Sequence, residues 1–150
     1  MKSGLFHYTS CGLRNIYLRN GFHAKETPYG RVVSIQDVGG LHRAIGLHLV
    51  RNKTHLTGAE VRFLRKELDM SQTTLAKCLQ VGETTVRNWE SGRVKVTGPG
   101  DRMIRALYQE YATGNSKLRE LVDRLAELNR ALHAKTVEFE ETQQGWHVAA

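Results

Sequence analysis

The sequence predicts an α+β fold: a small N-terminal β unit with one helix, a helical bundle, then a long helix and a short closing hairpin. Three observations carry this. Short runs rich in β-branched and aromatic residues, separated by turn signals, crowd residues 1–36. From Asp37 onward apolar residues recur at three- and four-residue spacing, and a capping residue opens several of these runs. At the end, TVEFEE and GWHVA flank a Gln-Gln-Gly turn. The expected units are 1–54, 55–113 and 114–150.

In the first unit FHYTSCGL, NIYL and GRVVSI are the expected strands. Asn20-Gly21 is the strongest hairpin signal in the chain, since a two-residue turn needs positive φ at both positions. Thr27-Pro28-Tyr29-Gly30 marks a second turn. Asp37 is placed to cap a helix on which Leu41, Ile45 and Leu49 share one face, and the closing strand pair is expected to rejoin this β unit.

The second unit opens on Thr57-Gly58-Ala59-Glu60, a capping box, ahead of Val61, Leu64 and Leu68 on one face. Ser71 caps the next helix, whose stripe is Leu75, Ala76 and Leu79. Val81 and Gly82 interrupt it. A second short helix follows from about Glu83 to Glu90, burying Val86 and Trp89 and leaving Glu83, Thr84, Arg87 and Asn88 outward. After a basic connector, Pro99 suits the first turn of a helix with Ile104, Leu107, Tyr108 and Tyr111 on one side.

In the third unit Gly114-Asn115-Ser116 breaks the chain before a helix from Lys117 to Lys135. Its Leu118, Leu121, Leu125, Leu128 and Leu132 form a leucine seam, suited either to packing on its own bundle or to a dimer contact.

Composition narrows the function. With 150 residues, 40% hydrophobic and 25% charged, the chain has ordinary globular proportions. No run approaches the roughly 18 apolar residues of a membrane span, and no signal-peptide core opens it, so no membrane partner and a cytoplasmic location are expected. The formal charge of +7 favours a polyanionic partner. Its excess lies early: residues 1–56 hold eight Lys/Arg against two acids. Cys11 and Cys78 are too few for a disulfide framework, and Cys78 reads as a small packing residue. Seven histidines show no tetrahedral-zinc spacing, and neither a phosphate loop nor a paired-carboxylate pattern occurs. No enzyme activity, cofactor or metal is expected.

Two short helices with polar side chains on the outer face of the second are the layout of a helix-turn-helix, whose second helix lies in the major groove of DNA. Ser71, Gln72, Leu75, Ala76, Leu79, Val81, Thr85, Val86, Trp89, Glu90 and Gly92 fall where the Cro/cI-type (XRE) helix-turn-helix family has them, and the stretch resembles that family. Two positions depart from it. Gln80 stands where the turn ordinarily has Gly and must take a left-handed conformation at about 1 kcal/mol; Gly82 replaces a Ser cap.

The resemblance implies a sequence-specific double-stranded DNA-binding regulator, a repressor acting as a homodimer on a palindromic operator. It implies phosphate contacts from Gln72, Arg93 and Lys95, with Gln72 also buttressing the recognition helix, and DNA contacts from Ser71, Thr73 and Thr85. It implies groove contacts from Thr84, Arg87 and Asn88, with Glu83 at the edge, and an ion pair between Glu90 and Arg65. More widely, residues 8–112 resemble the β-domain plus helix-turn-helix arrangement of MqsA-type antitoxins, so the alternative is an antitoxin that binds a protein toxin and autorepresses its operon. Those antitoxins hold zinc on Cys pairs; Cys11 stands alone here.

Overall fold

The computed structural model describes residues 4–127 and 136–149. Strands β1 (Phe6–His7) and β2 (Tyr17–Leu18) pair antiparallel, as do β3 (Phe22–Thr27) and β4 (Gly30–Ile35). Helices α1 (Val38–Asn52), α2 (Gly58–Glu67), α3 (Gln72–Leu79), α4 (Glu83–Glu90), α5 (Gly98–Ala112) and α6 (Lys117–Glu127) follow. A last antiparallel pair, β5 (Phe139–Thr142) and β6 (Gly145–Val148), completes the α+β architecture.

The expected caps form. Asp37 accepts from the Gly40 N–H at the start of α1, in a left-handed backbone conformation (φ 50°). Thr57 and Glu60 make the reciprocal capping box of α2. Pro99 lies in the first turn of α5 as expected, and Thr97 supplies a cap there that the sequence reading did not name. At α6 the cap comes from Asn115, whose side chain accepts from Lys117 N–H, while Glu110 on α5 accepts from Leu118 N–H.

One core runs from the β unit into the bundle. Tyr8, Leu13 and Leu18 join Ile45 and Leu49 of α1, Val61 and Leu64 of α2, Leu75 of α3, Val86 and Trp89 of α4, and Ile104, Leu107 and Tyr108 of α5. Polar clips reinforce it. His42 Nδ1 lies 2.7 Å from Glu67 Oε1, and a carboxylate only accepts. His42 Nε2 lies 2.8 Å from the Tyr8 hydroxyl, and the chain ties β unit, α1 and α2 together. Cys78 is half-buried against this core, and burial pushes its thiol up from the usual range.

Three expectations give way. Asn20-Gly21 does not close a hairpin: β2 pairs with β1 and β3 with β4, and only Gly21 of the two has positive φ. The dipeptide instead turns the corner between two sheets. The hairpin closes on Thr27–Gly30, and its first strand, FHAKET, lacks the β-branched run that announces a strand. The closing pair β5–β6 forms a sheet of its own rather than rejoining the N-terminal unit. Tyr111 is 57% exposed, whereas its expected companions Ile104, Leu107 and Tyr108 are buried. On α6, Val122 is buried, Leu118 packs on the core, and Leu121 and Leu125 are exposed. Leu128 and Leu132 of the expected seam lie outside the described residues.

Buried Asp101 joins α5 to the α1–α2 connection: Oδ2 accepts from Leu56 N–H at 2.9 Å, and Arg105 bonds both Asp101 and the Val50 carbonyl. Burial opposes its ionised form. The bonds from Arg105 and Leu56, with the charges of Arg105 and Arg102, prevail and hold the carboxyl below its usual range. A depressed carboxylate stabilises the fold above its unfolded value and loses that contribution as pH falls through the folded one. Wild-type stability should therefore drop as pH falls below about 4. Asp101→Asn should lower stability at pH 7 and flatten that acid slope, read by urea unfolding at stepped pH.

Candidate nucleic-acid interface

α3 and α4 pack directly on one another, joined by a turn at Gln80–Gly82. Gln80 adopts the left-handed conformation its position demands, φ 55° and ψ 43°. Its amide N–H and side chain both reach the Lys77 carbonyl, which offsets part of the strain. Gly82 starts α4 with no side-chain cap. Val86 and Trp89 fill the inner face of α4 and are essentially inaccessible.

The orientation of α4 is fixed from behind by a charge network. Arg65 on α2 donates from Nε and Nη2 to the two Glu90 carboxylate oxygens, at 2.7 and 2.9 Å, and from Nη1 to the Met70 carbonyl at 2.9 Å. Gln72 Nε2 donates to Glu90 Oε1 at 3.2 Å, so α3 shares the same carboxylate. Arg65 and Glu90 side chains are only 11% and 5% exposed. The planar guanidinium suits this, since it supplies parallel donors to one carboxylate and others elsewhere.

The outer face of α4 carries Thr84, Arg87 and Asn88 at helical spacing; Thr84 and Arg87 are exposed and Asn88 half-buried. Glu83 holds Arg87 by an exposed i,i+4 pair at 3.3 Å. Such a pair is worth about 0.3–0.5 kcal/mol and yields readily to a stronger partner. Thr85 is half-buried on the flank. At the N-terminus of α3, Ser71 uses its hydroxyl to cap Thr74 N–H, Gln72 faces Glu90, and Thr73 is exposed. After α4, the Val94 N–H returns to the Asn88 carbonyl at 3.2 Å. That anchors a connector on which Arg93 and Lys95 are exposed and form no ion pair among the described residues.

Two positioning glycines escape sequence reading. A Cβ on Gly58 would lie 2.1 Å from the Trp89 carbonyl oxygen, and one on Gly100 2.8 Å from Trp89 Cη2. α2 and α5 therefore reach the end of α4 only because these residues lack a side chain. Their one trace in the sequence is a glycine in a first helical turn, where better helix formers are ordinarily found. The Glu83–Arg87 pair was visible as an i,i+4 spacing. Among the described residues no three His, Cys, Asp or Glu cluster as a metal site would require, and no helix is long and apolar enough to cross a membrane.

A half-exposed recognition helix, braced by its partner helix and followed by a basic connector, defines a DNA-binding transcription regulator of the helix-turn-helix class. Residues 61–106 match the family model described as helix-turn-helix. This segment is a Cro/cI-type (XRE) helix-turn-helix. No curated protein matches the chain.

Arg65→Met should cost about 3–5 kcal/mol, because it strands a buried Glu90; an unchanged thermal midpoint would contradict the pairing. Gln80→Gly should stabilise by about 0.5–1 kcal/mol, since glycine takes the left-handed conformation without strain. A lower midpoint in chemical denaturation would show that the Gln80–Lys77 bond outweighs the strain.

Proposed function

We propose that the chain is a repressor that binds a palindromic operator as a two-fold homodimer. The observation that carries the reading is the outer face of α4, polar and accessible while its inner face is locked into the core. Thr84, Arg87 and Asn88 read base edges, with Thr85 and Glu83 at the margins. Asn88 pairs with adenine and Arg87, released from Glu83, with guanine; each such pair discriminates by about 1–3 kcal/mol. Ser71, Gln72, Thr73, Arg93 and Lys95 hold phosphates. In this reading residues 55–113 work as the DNA-binding unit, with 1–54 and 114–150 as its flanking partners.

The dimer follows from information. One recognition helix reads too few base pairs to find a site in a genome, and two-fold pairing doubles the reading surface. Exposed Leu121 and Leu125 on α6 are the first candidates for the contact, with exposed Tyr111 on α5 the second. The antitoxin alternative uses the same helix-turn-helix for autorepression. It rests on a resemblance of arrangement, and we rank it second.

Asn88→Ala should weaken cognate binding about tenfold or more while leaving non-specific binding nearly unchanged; equal losses on both would remove Asn88 from the reading set. Arg93→Ala and Lys95→Ala should weaken binding on all sequences and flatten the salt dependence by about 0.9 per lost contact. An unchanged slope would place both side chains away from the backbone. Light scattering should report a dimer at micromolar concentration, and a monomer there would sink the homodimer.

A further inference from the structure

Two hairpins from opposite parts of the chain are built alike. β3–β4 turns on Thr27-Pro28-Tyr29-Gly30 and β5–β6 on Thr142-Gln143-Gln144-Gly145. In each the Thr hydroxyl donates to the Gly carbonyl, at 2.6 and 3.2 Å, and accepts from the N–H of the third residue, at 3.3 and 3.2 Å. Both read Glu-Thr-x-x-Gly-x-x-Val. The registers coincide. Lys25 opposite Val32 corresponds to Glu140 opposite His147, and Glu26 opposite Arg31 to Glu141 opposite Trp146.

The shared frame carries opposite charge. Residues 137–149 hold Glu138, Glu140 and Glu141 and no Lys or Arg, whereas the first hairpin displays exposed Lys25 and Arg31 against the single acid Glu26, with Arg19 just before it. Every residue of β5 and β6 is exposed, and Phe139, Trp146 and Val148 stand 62–69% exposed on one face. A two-stranded hairpin alone in water is marginal, and an apolar face of this kind calls for cover. The first hairpin is also uncovered at its far end, where Val32 is 52% and Tyr29 100% exposed. Within one chain the two hairpins are separate sheets.

We propose that the C-terminal hairpin of one copy docks on the N-terminal hairpin of a second copy, an inference that rests on the homodimer proposed above. Two-fold symmetry forms the contact twice, each time laying the Trp146 face, with Glu141, over the Val32 face, with Lys25. The acidic hairpin is repelled by DNA, so its complement is a basic protein surface, and this chain carries one with a matching frame.

Charge reversal in the full chain tests this by sedimentation equilibrium. Lys25→Glu in one chain, and Glu141→Arg in another, should each raise the dimer Kd about tenfold or more. An equimolar mixture of the two variants should regain wild-type affinity, because the mixed dimer pairs opposite charges at both contacts. A dimer indifferent to the reversals, or a mixture no tighter than its components, would overturn the hairpin contact alone. So would a Lys25→Glu variant that loses DNA affinity with its dimer intact. A monomeric wild-type chain would instead overturn the homodimer itself, and this inference with it. Should either charge variant lose structure by circular dichroism, Trp146→Ala serves in its place: a tenfold weaker dimer is expected, and an unchanged one overturns the contact.

Discussion

The Glu90 carboxylate is the point on which the interface turns. It takes two bonds from Arg65 and one from Gln72, so three helices meet on one buried anion. A buried charge is expensive unless paired and hydrogen-bonded, and here the pairing is bidentate. The same guanidinium reaches the Met70 carbonyl, which fixes the link between α2 and α3. The cost of burying these charges is met with geometry: α4 cannot rotate without breaking a carboxylate contact or lifting Trp89 from the core. A rigid outer face is what direct reading of base edges requires, since a loosely held helix would spread its donors over several registers.

The remaining chain holds that arrangement from further away. Asp101 clips the α1–α2 connection to α5, and the Tyr8–His42–Glu67 chain joins the β unit to the bundle. The absence of side chains at Gly58 and Gly100 lets two helix starts close on the end of α4. Polar clips and close approaches of this kind give one arrangement where apolar packing alone would admit several.

The helix-turn-helix could be read from the sequence because its determinants are local. Caps at Thr57 and Ser71, the 3.6-residue stripes, and Val86 with Trp89 on one face each act within a few residues. The strained turn at Gln80 was visible for the same reason. The β elements were harder. Asn20-Gly21 has the chemistry of a hairpin turn, but pairing of β1 with β2 and of β3 with β4 leaves it a corner. Which strands pair is a long-range choice that a dipeptide does not encode. Tyr111 has the spacing of a core residue, yet it borders an open groove with Leu68, Met70 and Arg119 instead of filling the core, and it remains exposed. Gly58 and Gly100 matter through an aromatic residue distant in sequence, so nothing beside them announces their role.

In the proposed function α4 reads bases through Thr84, Arg87 and Asn88, and two-fold pairing brings a second copy of that face to the operator. Selection of bound duplexes from a random library tests that claim most directly. A two-fold repressor should enrich two inverted copies of one short half-site, with centres about one helical turn apart. A single asymmetric motif, or no enrichment over random sequence, would contradict it.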